Sequence, residues 1–529
     1  TPKPSSAASD VYKRQVVMGA VFKPTDEQVG IRDDRSDRLL VKAFAGTGKT
    51  SSLELKARAT PVKSLYVAFN KAIQREAEHR FPAHVTSRTM HSLAFARFGR
   101  IYHGVQGKLR PDIKPFHIKP LLGNSLRHLP ETMHMLYLTR LIDGVKRFLT
   151  SADYEIDPYR HYEFEVGAGR SRQVDAVSVL KDMRTIWSAM KDPGQTMIPM
   201  IHDGYLKEFQ LSEPKLPFDC IYFDEVQDTN PVTQAIIDLQ EHAQRVYVGD
   251  EHQAIYSFRG ANNSIASLDV DSTHYLTASF RFGSQVADVA NEILSLKGEV
   301  KELRGLGPDS TISCDAADGY EMAYISRGNS ALFSRAVSAL SRNQPFGFLG
   351  DIKGYRLDLI QEVHNLRTHN KVSDPYINSF GSYNAMCEYA EETDDKELKS
   401  RAKIVDDYGE RIPSLLASIE AKALPVSGEG LRNDILVLTT AHKSKGTEFN
   451  RVQLANDFKA FFVSEQDKKP GQPAGGLIDM SQLAPAEIEE FNIQYVAATR
   501  AKKDLHLSEQ LIDYLAYADE LKSAQRPRM

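Results

Sequence analysis

The sequence predicts an α/β protein: two parallel-sheet domains flanked by helices, each interrupted by a mainly helical insertion. Three observations carry this. Short apolar runs, each followed by a polar loop and a helix-compatible stretch, recur from residue 38 to 92 and again from 218 to 249. That order is the rhythm of parallel strands with crossover helices. The same rhythm returns in 274–350 and 431–520, and the stretches 99–190 and 351–430 break it with helical patterning. The predicted partition is 1–15 as a disordered or non-native leader, with 16–98 plus 191–273 as the first sheet domain. Residues 99–190 are its insertion, 274–350 plus 431–529 the second sheet domain, and 351–430 a reduced insertion of the second.

Composition bounds the possibilities. With 529 residues, 41% hydrophobic and 26% charged, the chain can bury several cores. A net charge of −4 excludes a surface that neutralises phosphates everywhere, so any nucleic-acid contact is local. Cys220, Cys314 and Cys387 lie far apart without a CxxC pair, which excludes a disulfide framework and a Cys-rich zinc site. They fit a reducing, cytoplasmic setting, and no apolar run reaches membrane-spanning length. Lys13-Arg14 followed by Val16 to Phe22 faintly imitates a signal peptide but is stopped by Lys23-Pro24. Met18 is a candidate natural start.

Taken in order, the first informative element is Phe22 to Gln28, where Thr25 is a candidate N-cap. Gln28 has the amide donor and acceptor to read an adenine edge, although on spacing alone an exposed helical Gln is the favoured explanation. The strand Leu39 to Ala43 then leads into Ala43-Phe44-Ala45-Gly46-Thr47-Gly48-Lys49-Thr50, and a helix-compatible run from Ser51 to Arg58 leads out. Strand, glycine-rich turn, Lys-Thr and helix form a P-loop, with Ala43 where Gly is commoner. Backbone amides of 45–51 would curl around phosphates at the helix N-terminus. Lys49 would reach the β- and γ-phosphates of a bound nucleotide, and the Thr50 hydroxyl would sit on Mg²⁺. A glycine-rich turn that binds nothing is the bland alternative.

The strand Ser64 to Ala68 ends in Phe69-Asn70-Lys71, and His84 to Thr86 leads to Thr89-Met90-His91. Ligands gather at the carboxyl ends of parallel strands, so Phe69, Asn70, Thr89 and His91 are candidates for gripping a polynucleotide. In 99–190, basic residues such as Lys108, Arg110, Lys114, Arg140, Lys146 and Arg147 suit either a solvated helical surface or a phosphate groove. The strand Phe218 to Phe223 runs into Asp224-Glu225-Val226-Gln227-Asp228. Downstream of a P-loop, Asp224 is positioned to hold Mg²⁺ and Glu225 to orient and deprotonate the attacking water. Asp228, before Thr229-Asn230-Pro231, has the chemistry of a helix cap. After the strand Arg245 to Gly249, Gln253 can bond the γ-phosphate or lytic water. Phe258 and Arg259 can clamp a base and its phosphate, or simply pack.

These residues resemble the UvrD/Rep family of superfamily 1 DNA helicases. Ala45 to Thr50, Asp224 to Asp228 and Gly249 to Ala261 look like that family's motifs I, II and III. Thr277-Ala278-Ser279-Phe280-Arg281 resembles motif IV, Thr440 to Phe449 motif V, and Gln494 to Lys503 motif VI. Seven elements stand in order from about residue 22 to 508, counting Tyr324 to Asn329. Within the family the sequence most resembles the F-box DNA helicase core and compact bacterial or phage relatives. Phe258 stands where the family commonly has Trp, and the interval between motifs IV and V is short.

The resemblance implies two RecA-like motor domains and ATP with Mg²⁺ as cofactors. It implies that Phe280 stacks on adenine, that Glu448 bonds the ribose, and that Arg281 and Arg500 neutralise the γ-phosphate. It adds Tyr256, Thr440 and His442 to the nucleic-acid contacts. The expectation is a monomeric ATP-dependent helicase or translocase on single-stranded DNA or a single/double-strand junction, moving 3′ to 5′. Two alternatives stay open: a translocase that displaces proteins with little unwinding, and a non-hydrolysing nucleic-acid-binding module.

Overall fold

A computed structural model describes residues 23–164, 174–257, 265, 268–315, 317, 319, 321–392, 395–427, 434–463 and 475–525. The leader 1–15, Met18, Phe258, Arg259 and most of the turn-rich loop 468–476 lie outside the described residues. The chain divides into two compact units. The described residues up to Ala43, Gly48–Gly249 and 265–276 form the first. Phe44–Thr47, Asp250–Ser257 and the residues from Thr277 onward form the second.

The first unit holds a parallel sheet of β1 (Arg38–Ala43), β2 (Ser64–Val67), β3 (Val85–Arg88), β4 (Cys220–Phe223), β5 (Gln244–Gly249) and β6 (Ser272–Leu276). Their spatial order is β3-β2-β4-β5-β1-β6. Both faces are covered, which explains why these strands read as continuous apolar runs. Leu40, Leu65, Val67, Ile221 and Phe223 face one core cluster, and Leu39, Val41, Tyr66, Tyr222 and Val248 the other. The helices Glu131–Thr150 and Ala176–Lys191 join the first cluster through Leu138, Leu141, Val145 and Phe148, and through Val179, Met183, Ile186 and Trp187. Their three-to-four spacing is that of a helix burying one stripe.

Local chemistry takes up several of the basic residues of 99–190. Lys108 is fully buried and donates to the carbonyls of Ala189, Gln195 and Ile198. Lys114 and Lys146 share Asp112, and Arg147 pairs with Glu163. Lys108 is thereby taken out of the phosphate-groove reading, while the other three stay at the surface in ion pairs.

The second unit holds the larger parallel sheet. Its strands are β9 (Thr311–Ser313), β10 (Met322–Ser326), β11 (Phe346–Leu349), β12 (Leu424–Val426), β13 (Leu436–Thr440), β14 (Phe449–Leu454) and β15 (Ala501–His506). They lie in the order β12-β11-β13-β10-β14-β15-β9, and two residue pairs, β7 (Ala278–Ser279) and β8 (Arg304–Gly305), pair beside it. Successive residues again face opposite cores: Ala323, Ile325, Val437 and Val452 on one side, Met322, Phe346, Phe348, Leu436 and Leu438 on the other. Between β11 and β12 run the helices Asp358–Arg367, Pro375–Ser379, Tyr383–Glu392, Lys396–Tyr408 and Ile412–Lys422, whose buried apolar side chains lie in the second of these cores. Two sheets of parallel strands flanked by helices are the architecture the sequence predicts.

Candidate functional site

In the first unit, β1 delivers the chain to the glycine-rich loop, and Gly48 N-caps the helix Lys49–Ala59. Gly46 and Gly48 adopt φ of +75° and +80°, a left-handed conformation that glycine takes without a steric penalty. Gly48 has no side chain to cap the helix, so the geometry is one an anionic ligand completes. Lys49 opens the helix and its Nζ lies 2.7 Å from Glu225 Oε2. These side chains are only 13% and 18% exposed.

Glu225 sits just past the end of β4 at φ +53°, a conformation few non-glycine residues adopt. Its carboxylate also accepts from Gln227 Nε2 at 2.5 Å. Asp224 is buried and held by two donors: the Glu225 amide at 2.9 Å and the Tyr66 hydroxyl at 2.6 Å. Burial, and then the neighbouring Glu225 carboxylate, push the Asp224 carboxyl above its ordinary range. A divalent cation would reverse that balance, because it supplies the positive charge that a buried acid lacks. Thr50 follows Lys49 in the first helical turn, and Ser51 Oγ accepts from Arg80 at 2.9 Å. The helix cap downstream is Asn230, which accepts from the Thr233 amide; Asp228 belongs to the preceding 3₁₀ turn.

Gln28 is buried, contrary to an exposed helical position. Thr25 and Gln28 form a reciprocal capping box that fixes the start of the helix Asp26–Asp33. The box uses Gln28 Oε1, leaving Nε2 buried without a hydrogen-bond partner. An orphaned buried amide costs about 1–3 kcal/mol, and a ligand acceptor would satisfy it. Lys56, fully buried on the phosphate-loop helix, donates to the carbonyls of Ile31 and Asp34 and so anchors the other end of the Gln28 helix.

In the second unit, the loop residues Phe44 to Thr47 pack with motif-bearing segments far along the chain. The Thr47 hydroxyl donates to the Phe44 carbonyl at 2.8 Å, and the Phe280 amide to the Gly46 carbonyl at 2.9 Å. The Phe280 ring is 45% exposed. A Cβ on Gly46 would stand 2.4 Å from Ser279 Oγ and 2.7 Å from Arg281 Cβ. Arg281 donates to Glu448 at 2.8 Å and to the Thr499 carbonyl at 3.0 Å. Burial opposes ionisation of Glu448, but Arg281 outweighs it and holds the carboxyl below its ordinary range. Arg500 is turned inward, fully buried, with its guanidinium on the Val496 carbonyl, the Thr447 carbonyl and the Thr499 hydroxyl. Gln253 donates to Asp250 Oδ2 at 2.6 Å.

The candidate nucleic-acid residues divide the same way. In the first unit, Asn70 and Thr89 cap the helices that follow β2 and β3, and Phe69 is half-buried. His91 bonds Asp203 at 3.1 Å and meets the Tyr205 ring edge-on. In the second unit, Thr440 caps the turn after β13. The Tyr256 hydroxyl donates to the His442 carbonyl at 3.1 Å, and Lys445 lies 5.2 Å from the Tyr256 ring centre.

The structure thus gathers Lys49, Asp224 and Glu225 in one unit, and Ala45, Gly46, Phe280, Arg281 and Glu448 in the other. Sequence reasoning missed Tyr66, Asp250 and Tyr495. The two tyrosines sit in runs that read as core, and only the partner of each hydroxyl reveals a further role.

Comparison with known proteins agrees with this geometry. Residues 201–272 match the UvrD/REP helicase N-terminal domain, and residues 275–511 match the UvrD-like helicase C-terminal domain. F-box DNA helicase protein 1 of Schizosaccharomyces pombe is 33% identical over 89% of this chain and 56% of its own length. F-box DNA helicase 1 of Gallus gallus is 30% identical over 94% of this chain and 50% of its own length. The chain therefore spans about half the length of these relatives. ATP-dependent DNA helicase PcrA of Leuconostoc citreum is 34% identical over 16% of this chain and 12% of its own length. With two RecA-like sheets and a phosphate loop followed by an Asp-Glu pair in the expected order, the chain belongs to the UvrD-like helicase family.

Proposed function

We propose that the chain is an ATP-dependent DNA helicase that moves 3′ to 5′ on single-stranded DNA and couples ATP hydrolysis to strand separation. The observation that carries the reading is the Lys49–Glu225 pair beside buried Asp224, at the end of a parallel strand and behind a two-glycine loop. Gln28 Nε2, buried without a partner, supplies an independent reason to expect a ligand with an acceptor edge, as adenine has.

Lys49 and Glu225 form an ion pair in which each offsets the other's charge. When ATP binds, Lys49 turns to the β- and γ-phosphates and Glu225 is released to accept a proton from the attacking water. Thr50 and Asp224 would hold Mg²⁺, which supplies charge neutralisation at the phosphates. Gln253 orients the γ-phosphate or the water. Phe280, already beside Gly46, offers an exposed face to the base. Arg281 exchanges Glu448 for the γ-phosphate, and Arg500 contributes after leaving its inward position. Phe69, Asn70, Thr89, His91, Tyr256, Phe258, Arg259, Thr440 and His442 contact the DNA strand, and alternation of grip between nucleotide states gives stepping.

The test is ATP turnover with and without single-stranded DNA, beside unwinding of duplexes tailed at either end. Stimulation by DNA and unwinding from a 3′ tail support the reading; no stimulation by DNA overturns it. The short stretch 351–430 favours a second reading, a translocase that displaces bound proteins with little unwinding. Robust unwinding of a tailed duplex by the purified protein rules that out.

A further inference from the structure

We propose that Tyr495 is a positioning residue that ties the start of the phosphate loop to the segment carrying Gln253, so that the two respond together to the γ-phosphate. Tyr495 is fully buried on the helix Pro485–Ala498. Its hydroxyl accepts the Ala45 amide proton at 3.0 Å and donates to Asp250 Oδ2 at 3.4 Å. The same carboxylate oxygen accepts from Gln253 Nε2 at 2.6 Å, and Asp250 Oδ1 accepts the His252 amide proton. A continuous chain of donors and acceptors thus runs from the Ala45 amide through the phenol and Asp250 to the Gln253 side chain. All of its members lie in the second unit.

A second contact on the same helix fixes the register. Asn492, one turn before Tyr495, donates to the Ala254 carbonyl at 2.8 Å and accepts from Lys297. Lys297 also lies 2.7 Å from His252 Nδ1. The His252 ring stacks on Phe44 at 5.9 Å and meets the Tyr495 ring edge-on at 6.1 Å. Residues 250–254 and 44–45 are therefore held on one face of one helix, whose next residues are Thr499, bonded to Arg281, and Arg500. A shift of Gln253 toward a γ-phosphate pulls on Asp250, and through the phenol on the loop that carries the phosphates. In a water-poor interior such a chain tolerates little slack, because a member that loses its partner keeps its desolvation cost.

The inference rests on the reading of this loop as an ATP site, and the experiment separates the two. Fluorescent ADP and a fluorescent non-hydrolysable ATP analogue are titrated into the full chain, its Tyr495→Phe variant and Tyr514→Phe. The last removes a different buried hydroxyl of the same unit, which donates to the Glu292 carbonyl. Tyr495→Phe is expected to bind ADP within about twofold of the unaltered protein and the ATP analogue about tenfold more weakly, with kcat reduced. Tyr514→Phe is expected to change neither ratio. Equal discrimination by Tyr495→Phe and the unaltered protein overturns the inference, as does an equal shift in Tyr514→Phe. If Tyr495→Phe fails to fold, Asp250→Asn carries the same test, with loss of discrimination expected and its retention overturning the inference. An unaltered protein that binds neither nucleotide overturns the ATP reading itself.

Discussion

The ion pair with Lys49 makes the replacement of Glu225 informative. Glu225→Gln keeps the size and the bond to Gln227 but cannot take a proton from water. ATP turnover, read as phosphate release, is expected to fall at least ~100-fold while ATP binding survives. Unchanged turnover would remove Glu225 from the mechanism. Tyr66→Phe deletes the 2.6 Å donor to Asp224 and adds no volume. The Mg²⁺ concentration that half-saturates turnover is expected to rise several-fold, as it does when a partner that orients a metal ligand is lost; a magnesium titration of the two proteins measures it. The sequence made Lys49 visible because it follows a glycine-rich turn and opens a helix, and Asp224 and Glu225 because they follow directly on the end of an apolar strand. It hid Tyr66 and Tyr495 because a buried aromatic in an apolar run looks the same whether its hydroxyl meets solvent, backbone or a carboxylate. Spacing alone favours an exposed position for Gln28, whereas the capping box with Thr25 turns its amide inward.

At the scale of elements, the parallel sense of the strands follows from the alternation of run, loop and helix, and both sheets are parallel; their spatial order is not written in that alternation. Polar residues at strand ends are harder to read, because a helix cap and a ligand contact draw on the same side chains. Asn70 is such a case: its side chain accepts the Ile73 amide proton at 3.0 Å. Asn70→Ala is expected to cost about 1 kcal/mol of stability in denaturant unfolding. No loss would mean that the side chain serves something other than the helix. The turn after the helix Ser284–Leu296 provides a pH signature. The Glu299 carboxyl is held at about 2, first by the bond from His252, with burial opposing, against an ordinary value of 4.5. A depressed carboxyl stabilises the fold above its unfolded pKa, and that contribution disappears as pH falls from about 4.5 to about 2. The stability difference between the unaltered protein and Glu299→Gln should therefore shrink over that interval, as thermal unfolding at a series of pH values would record. A difference independent of pH would contradict the assignment. The basic residues of 99–190 were ambiguous in sequence, since a lysine that holds three carbonyls, as Lys108 does, looks identical to one awaiting a phosphate.

For the molecule as a whole, a net charge of −4 restricts any DNA contact to a local track. Each phosphate neutralised lowers affinity for a single strand by about 0.7 logarithmic units per tenfold rise in salt. A slope that corresponds to only a few phosphates is expected from single-strand binding at graded salt; a slope of ten or more would require a basic surface that this composition does not supply. Neither unit is a continuous piece of chain, because Phe44–Thr47 and Asp250–Ser257 pack with residues made later. During synthesis, the first sheet is complete once β6 has emerged, yet Phe44 and Ile255, with Ala45, belong to a core whose remaining members run from Phe282 to Tyr514. At roughly 5–20 residues per second, those two side chains wait on the order of tens of seconds for their neighbours. A nascent chain released or cut near residue 276 would carry Phe44 and Ile255 without the core they join, so the glycine-rich loop is finished only by residues made after the first sheet.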